Sequence, residues 1–149
     1  MKLMQRSDRK ELMEVINRDY NCNIKELFKG GALFIDEERN VYLVNRDIEK
    51  IDLKSFRIKT AGLVIGGYDR GFIFTVEGSQ LLKEEIKKVI ELNNKQIQDW
   101  VKGKDLSVKE ENGFYLLKFE SDIYGAGIVI NGTLKNSLDK FRAVKEELY

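Results

Sequence analysis

Two clusters of basic residues are the part of the sequence best suited to binding another molecule. Lys54, Arg57 and Lys59 fall within six residues with no acid among them. Four further cations, opposed by one acid, are grouped near the C-terminal end: Lys135, Lys140, Arg142 and Lys145, with Asp139. Such groups supply phosphate contacts when a fold brings them to one face. Because most basic loops are simply solvated, neither cluster predicts a nucleic-acid site by itself.

Residues suited to catalysis or metal binding are few. The chain has no histidine, which excludes a histidine base, a histidine-containing triad and zinc ligation by histidine. Cys22 is the only cysteine, and an inert thiol is favoured over a nucleophile. Asp36, Glu37 and Glu38 are consecutive on a predicted hairpin loop, where they do not converge on one metal ion without further ligands. We therefore predict no catalytic residue, no bound metal and no cofactor.

The glycines at positions 125 and 127 match part of a dinucleotide-binding loop. That interpretation is disfavoured because a third glycine is missing and the apolar residues 128–130 continue as a strand instead of opening a helix. The small residues instead predict a tight turn or a close approach of two backbones. Trp100 falls on the apolar side of a predicted helix and is assigned to the core.

Composition places the chain among folded proteins and leaves its partner open. Hydrophobic residues make up 42% of the 149 residues and charged residues 34%, which suits one domain or two small ones with a shared core. With 26 Lys and Arg against 25 Asp and Glu, the net charge of +1 neither favours nor excludes nucleic acid. The first ten residues lack a signal-peptide apolar segment, and apolar runs are of strand length. We expect a soluble, cytoplasmic protein with no membrane segment.

An amphipathic helix is predicted at residues 8–20. Asp8 followed by Glu11 resembles a capping box at its start. One face of this helix is apolar and comprises Leu12, Met13, Ile16 and Tyr20. A shorter helical turn is predicted at residues 24–28, ahead of Gly30.

The segments that follow have the pattern of two strand pairs. Strands at residues 32–35 and 41–44 are predicted to form a hairpin with a five-residue loop. The second pair, at residues 56–65 and 72–76, is predicted to join through a tight turn for which residues 66–71 supply the glycines.

Helix and strand alternate in the middle of the chain. A helix is predicted to begin near Ser79, with one apolar side formed by Leu81, Leu82 and Ile86. We favour a break near Lys87 and a short strand at residues 89–92 over a continuous helix. Asn94 is predicted to cap a second helix that stops at Gly103.

The last third of the chain is predicted to be mostly sheet. Strands are expected at residues 114–119 and 127–130, followed by a turn at Asn131-Gly132. A short final strand or helix is expected at residues 143–149. Together these elements indicate an α+β chain with mostly antiparallel sheet.

Three collinear segments in the C-terminal half carry a family resemblance. Residues 132–142 (Gly-Thr-Leu-Lys-Asn-Ser-Leu-Asp-Lys-Phe-Arg) resemble the Gly-x-Leu-Lys-Asn, then Pro-Lys, then Arg signature of a PUA-like domain. Residues 100–106 are similar to that family's helix end and turn, and residues 113–127 to its strand and glycine turn. The domain occurs at the C-terminus of Sun/Fmu-type RNA cytosine-5 methyltransferases, and related archaeal proteins consist of it without the enzyme. The usual Pro is Asp139 here, and a frequent His is Ser137.

The resemblance implies a fold and an RNA-binding surface. The fold is a small, mostly antiparallel PUA-like pseudobarrel at residues 78–149, preceded by a helix and a strand-rich region at residues 1–77. The RNA-facing segment would comprise Lys135, Asn136, Lys140 and Arg142, with Lys102 and Lys104 at a neighbouring turn. Lys and Arg would pair with phosphates, whereas Asn136 would either read a base edge or fix the loop. Asp139 would weaken the local positive field.

The resemblance also implies a role in RNA maturation. We predict an RNA-binding accessory protein, not an enzyme, that acts in rRNA or tRNA modification or in ribosome biogenesis. A separately encoded RNA methyltransferase is a plausible partner, because the family's cofactor-binding domain and nucleophilic cysteine motif are not found in this chain. The alternatives are a protein-interaction adaptor and a small-ligand-binding member of the PUA-like superfamily.

Overall fold

The computed structural model describes residues 1–24, 31–45, 62–82 and 87–138. Several sequence predictions fall on other residues and lie outside this described part. They concern the basic cluster of Lys54, Arg57 and Lys59, most of the helical turn at 24–28, the first part of the strand at 56–65, and the final element at 143–149.

The first sheet is antiparallel and follows chain order. Its strands are β1 (Lys2–Leu3), β2 (Gly31–Ile35), β3 (Asn40–Asn45), β4 (Leu63–Tyr68) and β5 (Phe72–Phe74). The predicted hairpin is confirmed, with Leu33 of β2 opposite Leu43 of β3. In its loop the Asp36 carboxylate accepts hydrogen bonds from the Asn40 backbone N–H at 2.8 Å and the Tyr42 hydroxyl at 3.0 Å. The first acid of the carboxylate run thus stabilises the loop.

The predicted turn between β4 and β5 is shorter than the sequence suggested. Gly66 and Gly67 continue β4, and the bend is confined to residues 69–71, with Arg70 at a φ of 60°. Gly66 is needed for another reason, because a Cβ there would overlap the carbonyl oxygen of Ile73. The prediction that Gly66 and Gly67 serve the turn was therefore wrong, since both lie within β4, where Gly66 allows close strand packing.

Helix α1 (Arg6–Tyr20) begins two residues earlier than predicted. Gln5 occupies the N-cap position, and its backbone N–H donates to the Asp8 carboxylate at 3.2 Å. Asp8 is thus the third residue of the helix and not its cap. The buried face agrees with the prediction and includes Leu12, Ile16 and Tyr20.

The starts of the two later helices also differ from the predictions. Helix α2 (Val76–Gln80) begins before Ser79 because Thr75 caps it, accepting the Gly78 N–H at 2.9 Å. Helix α3 (Asn94–Val101) is capped by Asn93 and not by Asn94. Asn93 and Gln96 form a reciprocal capping box, and the predicted stop at Gly103 is confirmed by its φ of 90°.

The second sheet contains the segments that carry the family resemblance. Its strands are β6 (Val89–Glu91), β7 (Leu106–Ser107), β8 (Gly113–Phe119), β9 (Asp122–Ile130) and β10 (Thr133–Lys135), arranged in the order β6-β8-β9-β10-β7. Only the β6–β8 pair is parallel among these neighbours. The favoured strand after Lys87 is confirmed, as is the turn at Asn131 and Gly132, where φ is 50° and 81°.

Strand β9 is longer than predicted and takes up the glycine pair. Gly125 and Gly127 lie inside the strand, and the preceding turn is at residues 120–121. A Cβ on Gly127 would lie 2.8 Å from Leu134 Cδ1 and 3.2 Å from Trp100 Cη2. Of the two predictions for these glycines, a tight turn or a close approach, the close approach is therefore correct. The glycine turn that the family resemblance implied is absent at this position.

The core joins both sheets. Tyr20 of α1 packs edge-on against Phe74 of β5, with ring centroids 5.1 Å apart, and its ring is tilted against that of Phe114 in β8 at 5.8 Å. The Tyr20 hydroxyl is buried and donates to the Phe72 carbonyl oxygen at 2.6 Å. The fold class is confirmed as mixed helix and mostly antiparallel sheet, with one sheet curled into a half-barrel as in a PUA-like pseudobarrel. The boundary between residues 77 and 78 stays a prediction.

Candidate nucleic-acid interface

Two of the segments that carry the resemblance meet at one edge of the second sheet. Strand β10 pairs with β7, which places Leu134 opposite Leu106 and Thr133 opposite Ser107. Both leucines are buried in the same apolar cluster, so their burial fixes the register of two very short strands. The turn at residues 102–105 therefore lies beside the segment that follows β10.

Asn136 fastens these two segments together. Its side-chain amide donates to the carbonyl oxygens of Trp100 at 2.8 Å and Lys104 at 3.0 Å. Its Oδ1 accepts the Leu138 backbone N–H at 2.8 Å, and its own backbone N–H donates to Asp105 Oδ1 at 2.8 Å. Because both amide hydrogens are engaged within the protein, the structure shows the loop-fixing role of Asn136.

Three other residues of the resemblance form the apolar cluster beneath the site. Trp100 is fully buried beneath the turn, and its indole N–H donates to the Tyr124 carbonyl oxygen at 3.3 Å. Leu134 is equally buried, and Gly127 leaves the space that both side chains fill. The Leu-Lys-Asn segment thus has one side chain in the core, one in solvent and one bridging the turn.

The described lysines of the predicted site are exposed around this turn. Lys104 Nζ lies 3.8 Å from Asp99 Oδ1, and Lys135 Nζ lies 3.7 Å from Asp105 Oδ2. Lys102 is exposed and has no carboxylate within pairing distance in the part of the chain that the structure describes. Ion pairs this exposed contribute only about 0–1 kcal/mol. The ammonium groups are therefore accessible to a competing phosphate.

Four residues of the signature lie outside the described part of the chain or differ from the family pattern. Lys140 and Arg142, with Asp139 between the two parts of the motif, lie outside the described residues, so their predicted placement stays a prediction. Ser137 stands where the family frequently has His, and its hydroxyl donates to the Ala126 carbonyl oxygen at 2.6 Å. Ser137 therefore helps to hold the segment against β9.

Lys95 and the acids of this surface were not among the residues predicted from the sequence. Lys95 Nζ lies 4.0 Å from Asp99 Oδ2, one helical turn away on α3. The i, i+4 spacing of the pair is visible in the sequence and is the signal that could have found it. We call the exposed set formed by Lys95, Lys102, Lys104 and Lys135 the lysine edge.

Metal-ligating groups do not cluster in the part of the chain that the structure describes. Across residues 1–24, 31–45, 62–82 and 87–138, no group of three His, Cys, Asp or Glu side chains is arranged to hold a metal ion. Cys22 is buried, with 3% of its surface exposed. None of the helices described is both long and apolar enough to cross a membrane.

Comparison with known families agrees with the geometry. Residues 87–142 match the family model described as Methyltransferase RsmF PUA domain. The match spans α3 and all strands of the second sheet, and it contains all six predicted RNA-binding residues. A comparison with curated proteins gives no match. The resemblance is thereby confirmed: residues 87–142 are a PUA-like domain of the kind found in Sun/Fmu-type RNA methyltransferases.

Proposed function

We propose that this protein binds structured RNA through the lysine edge of its PUA-like domain. The match to the PUA domain of an RNA methyltransferase supports an RNA-binding role in rRNA modification. The observation that carries the proposal is the set of hydrogen bonds by which Asn136 joins the segment after β10 to the turn between α3 and β7. This joint brings Lys104 and Lys135, from two distant parts of the chain, onto one surface.

The chemistry of the lysine edge suits an RNA backbone. Lysines act as exposed point charges that neutralise phosphates without reading bases. Structured RNA is recognised largely by shape and by contacts to its backbone, which a rigid surface with fixed charges can provide. Since the whole chain carries a net charge of only +1, attraction to RNA must come from such a local group.

The proposal predicts a defined salt dependence of RNA binding. The double variant Lys104→Ala/Lys135→Ala should bind a ribosomal RNA hairpin more weakly than the unmodified protein. The slope of log K against log salt should flatten by about 0.7 to 0.9 for each phosphate that the variant no longer neutralises. Titrations of labelled RNA by fluorescence anisotropy at several salt concentrations measure both quantities.

A matched control separates the lysine edge from net charge. Lys10→Ala/Lys87→Ala removes the same charge from exposed positions on α1 and ahead of β6, at the opposite end of the second sheet from β7. We expect this control to retain most of the affinity and slope. Equal losses in both double variants would show that the lysine edge is not a distinct binding surface.

We further propose that the protein is an accessory factor in rRNA modification and ribosome biogenesis, in the cytoplasm, with a separate methyltransferase as partner. The family match supports the link to rRNA modification. The expectation of no catalysis rests on a sequence without histidine and on the burial of Cys22, the one thiol. The purified protein should transfer no methyl group from S-adenosylmethionine to RNA. Radiolabelled methyl incorporated into RNA by this protein alone would overturn the accessory role.

A further inference from the structure

Asp99 holds two lysines of the lysine edge close to one carboxylate. Its side chain, 24% exposed, approaches Lys95 Nζ at 4.0 Å and Lys104 Nζ at 3.8 Å through different oxygens. Lys95 lies one turn earlier on α3, whereas Lys104 lies beyond the end of that helix. The two ammonium groups are therefore gathered around a single negative charge while their side chains stay in solvent.

Asp105 has the same relation to Lys135. One carboxylate oxygen accepts the Asn136 backbone N–H at 2.8 Å, and the other lies 3.7 Å from Lys135 Nζ. The hydrogen bond from the Asn136 backbone holds the Asp105 carboxylate in a fixed position beside Lys135. Both side chains of the ion pair are about half exposed, at 48% and 49%.

Three of the four lysines of the edge thus face an acid belonging to the same surface. An arriving phosphate has to compete with each acid and also experiences its repulsion. The ion pairs are weak enough to be displaced, because exposed pairs contribute about 0–1 kcal/mol. Contacts to the RNA backbone alone therefore contribute little net binding free energy. Repulsive groups create selectivity in this way.

We propose that Asp99 and Asp105 are specificity-determining residues that restrain the lysine edge from binding RNA of arbitrary sequence. This inference rests on the proposed RNA-binding function. For an RNA that makes additional contacts, the binding free energy of those contacts offsets the competition from the two acids. A duplex of arbitrary sequence lacks these contacts. Lys95, which the resemblance does not assign, is part of the same device and contributes to phosphate binding.

The test measures binding of a short RNA duplex of arbitrary sequence to isosteric variants. Asp99→Asn/Asp105→Asn removes both charges, and Asn at 105 still offers an oxygen to the backbone N–H of residue 136. The double variant should bind the duplex about three- to tenfold more tightly, with a steeper dependence on salt. Asp69→Asn, in the exposed turn of the first sheet, removes one carboxylate charge elsewhere and should leave affinity nearly unchanged.

The lysine variants keep failure of this inference distinct from failure of the proposed function. Suppose that Lys104→Ala/Lys135→Ala weakens duplex binding while the Asp→Asn double variant leaves it unchanged. The restraining role of the acids is then overturned, and the lysine edge remains the RNA site. If neither pair of substitutions alters binding, the proposed RNA site itself is wrong. Equal gains per charge removed in Asp69→Asn and the double variant would attribute the effect to net charge and overturn the inference.

Discussion

Replacing Asn136 by alanine should lower the free energy of unfolding by about 2–3 kcal/mol, because three hydrogen bonds of its side chain disappear together. The carbonyl oxygens of Trp100 and Lys104 and the N–H of Leu138 would each be left without this partner. Urea unfolding followed by circular dichroism measures the change. A loss of this size is unusual for a side chain on an open turn.

Lys135→Ala is the matched control for this prediction. Lys135 is adjacent in sequence, and its exposed ion pair contributes at most about 1 kcal/mol. At temperatures where both variants are folded, Asn136→Ala should weaken RNA binding by misplacing the turn but leave the salt slope unchanged, since every lysine remains. Stability equal to that of the unmodified protein would contradict the bridging role of Asn136.

Gly78→Ala is expected to destabilise the protein by about 2–3 kcal/mol through steric overlap with backbone. Gly78 lies in α2, where alanine would ordinarily be favoured by about 1 kcal/mol. Here a Cβ would overlap the carbonyl oxygen of Ile65 in β4 and lie 2.7 Å from its carbonyl carbon. Because β4 is fixed within the first sheet, the helix has to move, and α2 also packs on β9 of the second sheet.

Ser79→Ala serves as the control for Gly78→Ala. Ser79 is equally buried in the same helix, and the substitution adds no atom. Its hydroxyl donates to the Val76 carbonyl oxygen at 2.7 Å, so stability should fall by about 1 kcal/mol. Thermal or chemical unfolding of both variants gives the comparison. If Gly78→Ala stabilised the protein, the backbone of α2 could not lie in close contact with Ile65 of β4.

The elements predictable from sequence are those with strong local signals. The helical period of apolar residues predicted α1, the two apolar runs either side of a polar loop predicted the β2–β3 hairpin, and Asn131-Gly132 predicted its turn. The cap of α3 was misassigned because two neighbouring residues offer equivalent side chains. Asn93 and Asn94 are both suitable caps, and only the reciprocal bond with Gln96 selects the first.

The candidate site was predictable only through the family resemblance. Strands β7 and β10 have two and three residues, too few for any hydrophobic period to be read. Asn136 bonds to backbone carbonyl groups, whose positions depend on the fold and not on residue type. Asp99 and Lys95 have the pattern of an ordinary solvated helix face, and only the fold places Lys104 beside them.

The most direct test of RNA binding by the lysine edge is crosslinking of the protein to RNA in the cells that make it. Ultraviolet irradiation, purification and sequencing identify the bound RNA, and mass spectrometry identifies the crosslinked peptides. We expect ribosomal RNA fragments, joined to peptides that contain residues 95–105 and 133–138. Recovery of no RNA above background, or crosslinks confined to residues 1–82, would contradict it.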